Sequence, residues 1–257
     1  MKENTHIGLV KIVGNLAIMD THNLQVLMES AIEPDQINKT LIAQDLINAL
    51  VIPFDWLINH TIRAKQLAIK CITQAYHAYR ENDPSWIRFA GWASHYIADW
   101  GTPHHSPVSK SNPVLALAGG GAFLGGLIGG LKNAEKGLKE SLLGIMKGAL
   151  VGAGVLGSAG LIILAISHSE FEKRCDLRWD NLENQINSRF LETRKDFIIP
   201  LSFIDRLTQF EIKMDELRRD CNNLDEYWIE KSSNEEFINY MLKIAHVIDF
   251  AFQIITE

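Results

Sequence analysis

The chain has 257 residues, 47% of them hydrophobic and 22% charged, which supports a large core and excludes a disordered chain. Lys plus Arg number 25 against 31 Asp plus Glu, a net charge of −6 with no long basic run. That balance argues against duplex nucleic acid as the main partner, because phosphate affinity follows the count of basic side chains.

The chain opens with an apolar run, GLVKIVGNLAIM, that Lys11 interrupts and no small-residue cleavage site follows. No signal peptide is read, so the expected compartment is the cytoplasm or the cytoplasmic face of a membrane. Further on, ENDPSW places Asp83 and Pro84 at the expected N-cap and first position of a helix, and Thr102 with Pro103 ends it soon after Trp100. Within it Ile87, Ala90, Ala93 and Ile97 recur at helical spacing, and FINYMLKIAHVIDFAFQIITE repeats the pattern at the C-terminal end. No alternating strand pattern stands out, so the body is expected to be all-α. Cys71, Cys175 and Cys221 lie far apart with no CxxC pair, and read as small apolar fillers.

Glycine is unevenly spread, with 14 of 18 between Gly119 and Gly160. There, residues 113–131 and 148–166 each run 19 residues without a charge. As helices each is roughly 28 Å long at about 1.5 Å per residue, close to the hydrocarbon thickness of a bilayer. Gly121, Gly125 and Gly129 form one GxxxG series and Gly144, Gly148 and Gly152 another, leaving smooth faces for close helix approach. Interior glycine costs roughly 1 kcal/mol per helical position in water, so seven in residues 113–131 suit a membrane hairpin better than a soluble helix. Five Lys against two Glu over 106–167 also suit an anionic lipid surface. The expected organisation is a catalytic domain in two parts, 1–107 and 168–257, interrupted by a Gly-rich hydrophobic hairpin over 108–167. The alternatives are a buried or self-associating soluble hairpin, with homo-oligomer contacts through the glycine faces, and a flexible, disordered Gly-rich insertion.

Histidine supplies the chemistry. In WASHYIADWGTPHH, His95 and Asp99 are four apart on one helix face, and the turn at Thr102 and Pro103 brings His105 back towards them. In HSEFE, His168 and Glu172 repeat the spacing. Imidazole with carboxylate is a ligand set that suits Zn²⁺. His22, His77 and His246 read as helix-surface or core histidines.

HYIADWGTPHH and HSEFEKRCD resemble the two ligand segments of the zinc-dependent phospholipase C family, which is related to the fungal single-strand-specific zinc nucleases. The resemblance spans residues 1 to 105 and 168 to about 257. It implies an all-helical bundle whose cleft holds two or three zinc ions. His95 and Asp99 would serve the first zinc, Asp99 would bridge to the third, and His105, His168 and Glu172 would hold the second, with His104 as the alternative to His105. NTHIGLV resembles the segment carrying a third-zinc ligand, His6; SAIEPDQ resembles the one carrying Asp35, with Asp45 as alternative; and INHTIRAKQLA offers His60. Asp35 is implied as ligand and general base. The implied activity is zinc-dependent phosphodiester hydrolysis, most directly of phospholipid; the hairpin lies outside the resemblance, and its own uncharged stretches 113–131 and 148–166 would hold the site at a membrane surface. The alternatives are a zinc nuclease or nucleotidase using Trp56, Trp92 or Trp100 for base stacking, and a non-enzymatic membrane protein that keeps the zinc scaffold.

Overall fold

The computed structural model describes residues 3–17, 20–36, 63–103, 170–194, 202–224 and 228–257. All elements among them are helical and no strand occurs, so the described chain is all-α. Chain contacts divide it into two units, Met1–Pro107 with Glu172–Glu257, and Val108–Phe171. The stretches 113–131 and 148–166, and any pairing through their glycine faces, lie outside the described residues.

Helix α1 (Glu3–Leu16) is followed by α2 (Thr21–Ser30), α3 (Ala64–Arg80) and α4 (Trp86–Trp100). Later in the chain come α5 (170–193), α6 (Phe203–Asn222), the single turn α7 (Trp228–Lys231) and α8 (Asn234–Thr256). Asp20 caps α2 and Ser202 caps α6 through side-chain bonds to the amides of Asn23 and Asp205. At α8 a reciprocal capping box joins Ser233 and Glu236 and fixes where the helix starts.

α8 forms the centre of the unit and packs against α1, α3, α4 and α6. It is buried on nearly all sides from Phe237 to Ile255, which explains its unbroken apolarity. It is the one helix among the described residues long and apolar enough to cross a membrane, yet 83% of its apolar window is buried within the protein. Its one buried carboxylate, Asp249, meets Arg194 Nε at 3.2 Å and Gln253 Nε2 at 2.8 Å, so the charge is paired where desolvation is most costly.

α3 and α4 approach closely because their shared faces are small: Ala68, Ala75 and Ala78 on one, Ala90 and Ala93 on the other. α3 ends in a Schellman turn, with Asp83 N–H bonded to Ala78 O at 2.8 Å and Asn82 N–H to Tyr79 O at 3.1 Å. Asn82 takes the left-handed conformation (φ 57°) that this turn needs. α4 then begins two residues later than its sequence suggests. Asp83 Oδ1 accepts from the Ser85 amide at 2.9 Å, and tight i→i+3 bonds from Trp86 and Ile87 precede the regular helix. The expected end holds, with Gly101 as C-cap directly after Trp100.

Candidate metal centre

Three segments that are distant in sequence bring ionisable side chains together. α1 carries His6, the short helical stretch 33–36 that follows the turn after α2 carries Asp35, and α4 carries His95 and Asp99 one turn apart. One ligand atom each from His6, Asp35 and His95 lies within 4.8 Å of the other two. His95 Nε2 is 3.1 Å from Asp99 Oδ2 and 3.8 Å from Asp35 Oδ1, and His6 Nε2 is 3.6 Å from Asp99 Oδ1. The two imidazoles stack, with centroids 4.6 Å apart. His6, His95 and Asp99 are fully buried, whereas the Asp35 side chain keeps 21% of its surface exposed.

The outer contacts orient this group. His95 Nδ1 lies 2.9 Å from the Ala31 carbonyl, to which it donates, so Nε2 is the atom turned towards the carboxylates. The Ala31 carbonyl is itself held near α4 by an absent side chain: a Cβ on Gly91 would lie 2.5 Å from Ser30 Cβ and 2.9 Å from Leu27 O. Two residues beyond Ala31, Glu33 accepts from Arg88 Nε at 2.8 Å and from Trp92 Nε1 at 2.9 Å. The Arg88 bonds hold the Glu33 carboxyl below its ordinary range, aided by Trp92. Asp35 is thus carried by a strap fastened to α4 on both sides of its bend.

On the opposite side, Asp176 of α5 accepts from the Thr5 amide at 3.1 Å and the Thr5 hydroxyl at 2.5 Å, next to His6. One turn further along α1, Gly8 lies against Trp179, where a Cβ would come within 2.2 Å of the indole. Burial pushes the Asp176 carboxyl up, against the bonds from Thr5 that pull it down.

The electrostatics fit a divalent cation. Neither ring nitrogen of His6 has a hydrogen-bond partner despite complete burial, and 3.6 Å to Asp99 is too long for one. Leaving a buried polar group unsatisfied costs roughly 1–3 kcal/mol, which a ligated cation would offset. Burial, with nearby positive charge including His95, lowers His6 to about 3, so it is a neutral donor at physiological pH. For His95 burial alone would lower the pKa, but Asp99 and Asp35 outweigh it and raise it to about 9. Without a cation, then, a proton on His95 balances part of the charge of two carboxylates; His6, Asp35 and His95 could hold a metal ion in its place, beside Asp99.

The remaining expected ligands divide as follows. His60, His105 and His168 lie outside the described residues, as do the alternatives His104 and Asp45. Glu172 is half-buried on α5 and is not a member of the group formed by His6, Asp35 and His95. Trp92 and Trp100 have bonded indoles, the first to Glu33 and the second to Met214 O at 2.8 Å, while Arg218 covers the Trp100 ring at 3.8 Å. Trp56 is outside the described residues. Cys71, Cys175 and Cys221 are free and buried, and burial pushes each thiol up, the first two to about 12, so they are inert fillers. His22 and His77 lie exposed on helix surfaces and His246 is half-buried.

Asp176 and the Glu33 strap were not read as site-building residues. Asp176 stands inside HSEFEKRCD, but its partner is 171 residues away and no local spacing announces it. No family model, curated protein or solved structure matches the chain.

Proposed function

We propose that the protein is a zinc-dependent phosphodiester hydrolase of the phospholipase C type, acting on phospholipid at a membrane surface, with the helical body arranged as in that family. The observation that carries this reading is the convergence of His6, Asp35 and His95 beside Asp99, with both nitrogens of a fully buried His6 left without a hydrogen-bond partner. Two neutral-capable imidazoles and two carboxylates form a donor set for a non-redox divalent ion.

Bound zinc supplies Lewis acidity towards a phosphoryl oxygen and acidifies water near neutral pH. The chain's own residues provide the rest. Ala31 fixes the His95 ring so that only Nε2 faces the cluster. Asp99, buried on the same helix face, compensates cationic charge from beneath. Asp35 is the most exposed member of the group, so its carboxylate is the one that water arriving from solvent would reach and could give a proton to. A phosphodiester anion approaching from that side meets a centre whose positive charge is already partly balanced from behind.

The lipid preference rests on sequence. The uncharged stretches 113–131 and 148–166 match a bilayer in length, and their flanking lysines suit anionic headgroups. Zinc content and turnover of three substrates test the reading together: phosphatidylcholine vesicles, a small soluble phosphodiester and single-stranded DNA. Zinc with vesicle cleavage supports it. Zinc with cleavage of DNA alone moves the assignment to a nuclease, and zinc without turnover of any of the three leaves a scaffold. A chain without zinc after reconstitution ends the metal reading.

A further inference from the structure

The first turn of a helix has amide groups with no carbonyl behind them, and the side chain that usually satisfies them belongs to the residue just before the helix. In α1 that task falls to another helix. Asp176 Oδ1, on α5, takes both the Thr5 amide at 3.1 Å and the Thr5 hydroxyl at 2.5 Å. A carboxylate at a helix N-terminus also faces the positive end of its dipole. The next residue is His6, the member of the metal group whose own nitrogens make no hydrogen bond and so do nothing to orient it.

We propose that Asp176 is a positioning residue for the metal centre, acting as the N-terminal cap of α1 from across the fold and thereby setting the direction of the His6 ring. The inference rests on the metal reading above. Neighbouring contacts between the same helices do not share this role. Lys11 and Glu183 pair at 3.2 Å more than a turn further along, on a half-exposed surface.

The test is Co²⁺ titration of the full chain, followed by visible absorption as a spectroscopic reporter of ligand number. Asp176→Ala is expected to weaken Co²⁺ binding by about ten- to a hundredfold, the usual consequence of losing an outer-shell support, and to change the band shape as His6 is lost. Thr5→Val, which keeps the amide but removes the hydroxyl, is expected to weaken it by up to about tenfold, and the double variant to be no worse than Asp176→Ala alone. Asp176→Asn, which retains an acceptor oxygen, should fall between. Glu183→Gln should leave affinity and spectrum unchanged. If Asp176→Ala does not fold by circular dichroism, Thr5→Val decides.

Wild-type affinity and spectrum in Asp176→Ala would overturn the proposal while leaving the metal centre intact. An equal loss in Glu183→Gln would overturn it too, since the effect would then be general loosening of α1 on α5. A wild-type chain that takes up no Co²⁺ removes the metal reading and this inference together.

Discussion

His95 and Ala31 are joined across 64 residues by a 2.9 Å hydrogen bond that turns the imidazole Nε2 towards Asp99 and Asp35. The ring cannot rotate away without leaving a buried carbonyl unsatisfied. His95→Ala therefore removes the proposed ligand with the most fixed geometry, whereas His6→Ala removes one held only through its helix. The wild type is expected to contain zinc and to gain Tm on zinc addition, and both variants to lose zinc in elemental analysis and to lose that gain, because ligand assembly contributes to folding. Equal zinc content in wild type and His95→Ala would refute the assignment.

Metal uptake should release protons. In the metal-free chain His95 is held at about 9, so at pH 7 it must shed a proton to ligate, whereas His6 at about 3 sheds none. Calorimetry in two buffers of different ionisation enthalpy should report about one proton released per chain from this pair, and apparent affinity should rise up to about pH 9. Stability of the metal-free chain follows the same groups. The contribution of His95 is complete below about 6.5 and is lost as pH rises towards 9; that of His6 is lost as pH falls from 6.5 towards 3. Their combined optimum lies near pH 6.5. Zinc uptake that is independent of pH between 6 and 8 would count against the cluster.

Gly91→Ala tests the approach of α2 to α4. The added Cβ would meet Ser30 Cβ at 2.5 Å and the Leu27 carbonyl at 2.9 Å, so the end of α2 must move. Overpacking of this kind costs about 1–3 kcal/mol. The displacement also carries Ala31 and Asp35, so zinc affinity should fall along with the urea midpoint. A variant with reduced stability and undiminished affinity would show that the strap moves independently of α2.

Replacing residues 110–165 with a short polar linker separates chemistry from lipid access. His6, Asp35, His95 and Asp99 all lie outside the exchanged segment. Zinc content and cleavage of a small soluble phosphodiester should persist, while cleavage of lipid in vesicles should fall through lost effective concentration at the interface. Undiminished vesicle cleavage would remove the membrane role of the two glycine-rich stretches.

The residues legible in the sequence are those whose partners are local. His95 and Asp99 declare themselves by four-residue spacing, and Thr102 with Pro103 marks the end of their helix. Ile87, Ala90, Ala93 and Ile97 show the buried face of α4 for the same reason. Asp35 and His6 required a family resemblance, since nothing in their immediate neighbours relates them to His95. Glu33, Gly91 and Asp176 escaped notice because each acts through a contact with another part of the chain: a guanidinium 55 residues on, a helix end about 60 residues back, an amide 171 residues away. The N-cap of α4 was misplaced because Asp83 caps a tight turn ahead of the helix rather than the helix itself.

Tyr240 donates to the Gly101 carbonyl at 2.7 Å, so α8 clasps the end of the helix that carries His95 and Asp99. During synthesis this clasp follows the cluster in the chain. A nascent chain of a hundred residues already holds His6, Asp35, His95 and Asp99, but neither Asp176 nor Tyr240. The cluster is therefore translated early and fixed late, after α8 has left the ribosome and docked. Metal loading of the proposed centre would then follow the docking of α8, and any lesion that delays α8 should leave the metal-free chain exposed to proteolysis even though His6, Asp35, His95 and Asp99 are present.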